Sequence, residues 1–285
     1  MELFGWLWEP LQYGFMVRAL LASIIVGIIC PVIGSYMILR GMSFFGDALS
    51  HSILPGIVIA YLLSLPLAIG ALVAGVTAAI FIGFISQRGN VQEDTAIGIV
   101  FAGAFALGVA LMSTVSGYSV DLTHILFGDV LSVSWTDIWW TLALGLVVLT
   151  LVIAFFKELA IITFDPTLAL VLRLPARMLR YLLLVLIALT IVVSLRTVGI
   201  SLMLAMLVTP AASAQLLTRR LPPMMVVAAA IGVLSNVTGL YISFALNVAS
   251  GPAMVLVATA VFAVVFMLAP ERGMLWRRLR SARTA

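Results

Sequence analysis

Residues 221–270 read LPPMMVVAAAIGVLSNVTGLYISFALNVASGPAMVLVATAVFAVVFMLAP, fifty positions without one Asp, Glu, Lys, Arg or His. A helix rises 1.5 Å per residue, so about 20 apolar residues cross a bilayer. Fifty are too many for one crossing and suit two. The sequence Asn247-Val248-Ala249-Ser250-Gly251-Pro252 is rich in turn formers and divides them. Uncharged tracts also cover 19–39, 52–87, 95–120, 138–156, 181–195 and 197–218. The tract 52–87 is again double length, and Pro66 breaks it near its middle. The tract 181–195 reaches spanning length only with its flanks.

Nine crossings follow. Hydrocarbon offers backbone N–H and C=O groups no partner, so each crossing is expected to be helical. The fold expected is all-α, a polytopic transmembrane bundle of about nine segments forming a single membrane domain over 1–285. Composition agrees: of 285 residues, 64% are hydrophobic and 9% charged, where soluble domains are about half apolar and one quarter charged. That excludes a disordered chain, a nucleic-acid partner and an ordinary cytosolic enzyme. Residues 1–10 carry Glu2 and Glu9 where a cleavable leader would start basic, so none is expected. Cys30 is the single cysteine, which excludes an internal disulfide or a thiolate metal cluster.

Nine crossings put the termini on opposite sides. With the N-terminus outside and the C-terminus cytoplasmic, 13 of the 15 basic residues fall on the cytoplasmic side, all but Arg18 and Arg196. Basic residues favour cytoplasmic loops, which fixes this orientation as the expected one. Gly98, Gly103 and Gly108 recur along one tract and are expected to allow close helix packing.

Ionisable groups inside such a chain are costly and usually functional. Asp47 and His51 stand four residues apart in Ser43-Phe44-Phe45-Gly46-Asp47-Ala48-Leu49-Ser50-His51-Ser52. On a helix they lie about 40° apart on one face, with Ser43 and Ser50 on the same stripe. A carboxylate and an imidazole one turn apart make a half-site for a divalent cation. Zinc takes four ligands, and manganese prefers oxygen and nitrogen donors in octahedral sets. A two-fold dimer with the stripe on its axis would supply two of each group. The structural alternatives are an Asp–His hydrogen bond between packed helices, or Asp47 as a helix cap. Metal binding displaces any proton on His51, so a cation held at this pair is expected to bind less in acid.

Asp121 and His124, three residues apart in the segment that also holds Asp129 and Asp137, are weaker candidates for a cation at the outer mouth. A capped or packed loop is the alternative. Glu93 and Asp94 open a crossing, where acids satisfy free amides and oppose the macrodipole; lining a cytoplasmic exit is the other reading. Asn236 and Asn247 are expected to donate hydrogen bonds between helices.

Residues 163–176 lie between two crossings on the cytoplasmic side. Asp165 suits a helix cap, Pro166 a first helical position, and Pro175 a stop. A short apolar helix outside the bilayer core is expected, resting on the interface or docked in a partner's groove. The one lysine, Lys157, follows Phe156, so the Gly-Lys of a nucleotide-binding loop is missing. A pump built on this chain needs a separate ATPase, and the chain itself is not expected to be an enzyme. A proton-coupled secondary metal cation transporter, with Asp47 as carrier, is the alternative.

At these residues the sequence resembles the integral-membrane permeases of the manganese/zinc/iron family of bacterial ATP-binding-cassette importers. The matching segments are Gly46-Asp47-Ala48-Leu49-Ser50-His51-Ser52-Ile53-Leu54-Pro55-Gly56, Glu93-Asp94-Thr95-Ala96-Ile97-Gly98, Phe164-Asp165-Pro166, Thr197-Val198-Gly199 with Thr209-Pro210-Ala211-Ala212, and Ser250-Gly251-Pro252. The resemblance implies a homodimeric permease in the bacterial inner membrane. It implies two partners besides: cytoplasmic ATPase subunits that use ATP, and an extracytoplasmic solute-binding protein that delivers the metal. No permanently bound cofactor is implied; the metal is cargo. Asp47 and His51 match positions on the metal path. Residues 163–176 look like the coupling helix, with Phe164, Asp165, Pro166, Leu168 and Leu172 toward the ATPase. The form of the first segment is more similar to the manganese/iron branch than to the zinc branch. Where the family often has glycine before the Leu-Pro that closes the coupling segment, this chain has Arg173.

Overall fold

A computed structural model describes residues 9–89, 91–114 and 130–269. The described residues are helical, without a strand, and contain nine helices long and apolar enough to cross a membrane. The elements are α1 (Gly14–Leu39), α2 (Phe45–Ser52), α3 (Leu54–Leu62), α4 (Leu67–Arg88), α5 (Glu93–Ser113), α6 (Trp135–Ala154), α7 (Phe156–Phe164), α8 (Pro166–Val171), α9 (Ala176–Leu217), α10 (Leu221–Leu246) and α11 (Ser250–Leu268). Helices α2 and α3 make up one crossing, Phe45–Leu62. Helix α9 supplies two, Ala176–Leu195 and Thr197–Leu217, with Gly199 at φ 77 between helical stretches. The short tract 181–195 thus gains length from its N-terminal flank.

Both double-length tracts divide where turn chemistry placed the break. Helix α3 ends with Ser64 in the left-handed region at φ 55, the Leu65 N–H donating to Ala60 O and the Ser64 N–H to Tyr61 O. Pro66 then caps α4. Helix α10 ends on Asn247, also left-handed at φ 51, a conformation asparagine tolerates better than most residues. Asn247 therefore terminates a helix. Asn236 behaves as expected, its Nδ2 donating to the Ser23 carbonyl 2.8 Å away.

The chain forms two compact units, each from discontinuous segments. The first takes the described residues of Met1–Ile38, Leu126–Leu142 and Thr197–Ala285. Within it, α1 and α10 approach at Gly27 and Gly232, where a Cβ on Gly232 would lie 2.5 Å from the Gly27 carbonyl oxygen. Arg18 Nε donates to the Val133 carbonyl at 2.9 Å, tying the segment ahead of α6 to α1.

The second unit takes the described residues of Leu39–Ile125 and Ala143–Arg196 and carries the candidate site. Its tightest helix pair is α3 against α4, where Gly56 and Gly70 face one another. A Cβ on either would stand 2.2 Å from the other's carbonyl oxygen, so only glycine fits both positions. Gly108 abuts Leu54, but Gly98 and Gly103 have nothing within 4 Å of a built Cβ. Among the described residues, the packing expected along that glycine series is therefore found at Gly108 and not at Gly98 or Gly103.

Candidate metal-binding site

Helix α2 starts at Phe45, two residues before Asp47, and Phe44 precedes it with no side-chain cap. Asp47 thus lies inside the first turn and is not the helix cap. The charge-free tract begins only after His51, yet the crossing begins at Phe45; the pair occupies roughly its first 10 Å. Phe45, Leu49 and Ile53 are buried, while Phe44 is exposed. That burial anchors α2 on one side and leaves the polar stripe on the other.

Asp47 Oδ1 and His51 Nε2 are 3.8 Å apart, with side chains 51% and 31% exposed. The gap is too long for a hydrogen bond, so the alternative of an Asp–His hydrogen bond is not realised. Two donors bound to one transition-metal ion at its usual bond lengths stand roughly 3–4 Å apart, which this spacing matches. Among the described residues, no group of three or more His, Cys, Asp and Glu gathers around a common point.

Helix α2 ends beside the pair for a local reason. Pro55 has no N–H, so the His51 carbonyl loses its ordinary donor four residues on. The Ile53 N–H donates to His51 O instead. The Ser50 and Ser52 hydroxyls add to the interruption by donating to Asp47 O and Ala48 O, each at 2.7 Å. Side-chain bonds of this kind compete with the helical ladder. Ser50 therefore serves the backbone on the stripe where it was expected.

The sequence reading missed the wall behind His51. Phe101 and Phe105, one turn apart on α5, each place a ring centroid 5.8 Å from the imidazole, Phe105 edge-on at 83°. The two phenyl rings stack with each other at 6.0 Å. Both rings stand on one side of the imidazole and give it an apolar wall. Their spacing is a helical i, i+4 pair, a signal without contrast in an apolar crossing.

Asp121 and His124, the weaker pair, lie outside the described residues.

Within 163–176 a short helix forms as expected, though it is only six residues long. Asp165 caps α8, accepting from the Thr167 and Leu168 amides at 3.0 Å and from the Thr167 hydroxyl. These donors hold the Asp165 carboxyl below its usual range, the Thr167 hydroxyl first. Helix α8 runs only to Val171, then closes as a Schellman motif: Leu174 N–H to Ala169 O and Arg173 N–H to Leu170 O. Arg173 takes the left-handed position at φ 54. The arginine thus adopts the turn geometry usually given to glycine. Phe164, Leu168 and Leu172 are exposed, as are Leu170 and Val171.

Glu93 does more than open a helix. Its Oε1 lies 2.5 Å from Arg40 Nη2 and 3.5 Å from Arg180 Nε. The Arg40 side chain is 7% exposed and Glu93 19%. Burial pulls the Arg40 guanidinium below its ordinary value, Glu93 opposing and Arg180 adding to the shift. Around the three opens a cavity of about 540 Å³, also lined by Gln92, Thr163 and Pro166.

The family model of the ABC 3 transport family matches residues 12–269. The manganese transport system membrane protein MntC of Halalkalibacterium halodurans is 50% identical over 275 residues, 96% of this chain and 94% of that protein. The chelated iron transport system membrane protein YfeD of Yersinia pestis is 42% identical, over 93% and 89% of the two chains. Among solved structures, PsaBC from Streptococcus pneumoniae in complex with Fab superposes with a TM-score of 0.83 at 39% identity, over 98% of this chain and 99% of that one.

Proposed function

The chain belongs to the ABC 3 transport family, and from that premise we propose that it is the membrane permease of an ATP-driven importer of divalent transition metal, manganese favoured over iron and zinc. The Asp47–His51 pair carries this reading: an oxygen and a nitrogen donor 3.8 Å apart on a partly exposed face, one protomer supplying half a coordination shell. Oxygen and nitrogen donors suit manganese better than a thiolate site would. Relatives named for manganese transport at 50% and 48% identity support that preference. A second copy would bring the donors to two Asp and two His, so the working unit is a homodimer in the bacterial inner membrane.

The chain acts as one permease domain, not as an enzyme. ATP is hydrolysed by cytoplasmic ATPase subunits that dock on 163–176. The exposed apolar row of Phe164, Leu168 and Leu172 fits a groove, and the Asp165 cap holds that row in helical register. A solute-binding protein delivers the metal from outside. The cargo passes between the paired Asp47 and His51 side chains and leaves to the cytoplasm as the ATPase cycle alternates access. The test is ATP-dependent manganese uptake by the reconstituted complex, with iron and zinc as competitors. Asp47→Ala and His51→Ala are each expected to abolish uptake while the complex still assembles. Near-normal uptake by both variants refutes the site. Uptake by the chain alone, driven by a proton gradient, refutes the importer.

A further inference from the structure

The three charges at Arg40, Glu93 and Arg180 join parts of the second unit that lie far apart in sequence. Arg40 stands between α1 and α2, seven residues before Asp47. Arg180 lies in the first turns of α9, seven residues after Arg173. Glu93, in the first turn of α5, holds both through a single oxygen. The helix that bears Glu93 also bears Phe101 and Phe105, the rings against His51. One carboxylate therefore connects the end of the coupling segment to both sides of the candidate metal pair. We propose that Glu93 with Arg40 and Arg180 forms the joint through which movement of the coupling segment reaches the Asp47–His51 helix.

Two features distinguish this triad from an ion pair that merely fastens helices. The arms are unequal. Arg40 is held at 2.5 Å and almost fully buried, whereas Arg180 is at 3.5 Å and 31% exposed. A firm arm on the metal side and a loose arm on the coupling side suit a joint that shifts on one side only. The second feature is space. The cavity of about 540 Å³ borders both arginines, Glu93 and the coupling residues Thr163 and Pro166. Packed interiors move only between discrete arrangements and need room for it. Arg40 Nη1 is buried without a hydrogen-bond partner among the described residues, a spare donor for a second arrangement of the same carboxylate. Loss of the Glu93 charge would leave the buried Arg40 uncompensated and disconnect the loose arm.

This inference rests on the importer reading, so the test begins with the wild-type complex, reconstituted with its ATPase and solute-binding partners. Failure of that complex to import manganese with ATP overturns the importer reading itself. With wild-type import established, manganese imported per ATP hydrolysed is measured for Glu93→Gln, Arg180→Gln and Arg180→Lys. The glutamine variants are expected to lose about fivefold or more in that ratio, the usual scale of coupling between sites, while ATP hydrolysis stays near wild type. Arg180→Lys is expected to retain the ratio, because a point charge can serve a single-oxygen contact. If Glu93→Gln does not assemble, the two Arg180 variants decide. An unchanged ratio overturns the joint. So does a parallel fall of import and hydrolysis, the mark of simple structural damage.

Discussion

Replacing Gly56 by alanine tests how tightly the crossing that bears the metal pair is fixed. The new Cβ would stand 2.2 Å from the Gly70 carbonyl oxygen and 2.5 Å from the Ala74 Cβ, where real Cβ contacts essentially never fall below 3.0 Å. Helices α3 and α4 must separate, and overpacking of this kind costs about 1–3 kcal/mol. The substitution also gains about 1 kcal/mol, because alanine is the better helix former. Gly103→Ala carries that gain without the clash, since nothing lies within 4 Å of its built Cβ. The difference between the two variants is therefore the clash itself, about 1–3 kcal/mol. Gly70→Ala meets the reciprocal contact at 2.2 Å. One separation of the helices relieves both, so the double variant should cost less than the sum of the two singles. Unfolding of the detergent-solubilised protein measures all four. Manganese uptake should fall further in Gly56→Ala than in Gly103→Ala, because α3 continues directly from α2. Gly56→Ala as stable as Gly103→Ala, or strict additivity in the double variant, refutes the reasoning.

Two further outcomes are expected. Hydrogen bonding depresses the Asp165 carboxyl, so its contribution to α8 is full above the ordinary carboxylate range and disappears as pH falls through the depressed value. The protection of the Thr167 and Leu168 amides against hydrogen exchange, taken relative to the unstructured rate at each pH, should fall across that acid window, and Asp165→Ala should show the lower protection already at neutral pH. Pro55→Ala restores an N–H for the His51 carbonyl. It should merge α2 with α3 into one helix and stabilise the protein by about 1 kcal/mol, while slowing uptake by fixing the pair's orientation; stability and transport rising together would contradict this.

The crossings were legible because charge-free length is a strong signal when about 20 residues suffice. The start of the metal helix was not. Counting uncharged residues places the beginning of the crossing after His51, so the ionisable groups conceal the helix that carries them. Glu93 shows a second limit. Its position at a helix start was explained locally, and Arg40 stands 53 residues away in sequence. Nothing in a single chain pairs such charges. Phe101 and Phe105 belong to a crossing apolar all round, where periodicity has no contrast. The capping segment was readable in detail because Asp165 and Pro166 act on immediate neighbours. The Arg173 turn was foreseen only as a departure, since the left-handed conformation depends on how α8 closes.

An importer must release what it binds, and the chemistry of the pair suits that demand. A complete shell of carboxylates and imidazoles within one protomer would hold a transition metal too firmly for turnover; passage requires sites that are easy to enter and easy to leave. Asp47 and His51 sit on an eight-residue helix that stops at Ile53 because Pro55 cannot continue the ladder. The imidazole packs against the Phe101 and Phe105 rings. In the proposed dimer, affinity would depend on the separation of the two Asp47–His51 pairs. A small change in the tilt of α2 in each copy would then alter all four donor positions together, so the capturing and the releasing geometry would differ by little movement.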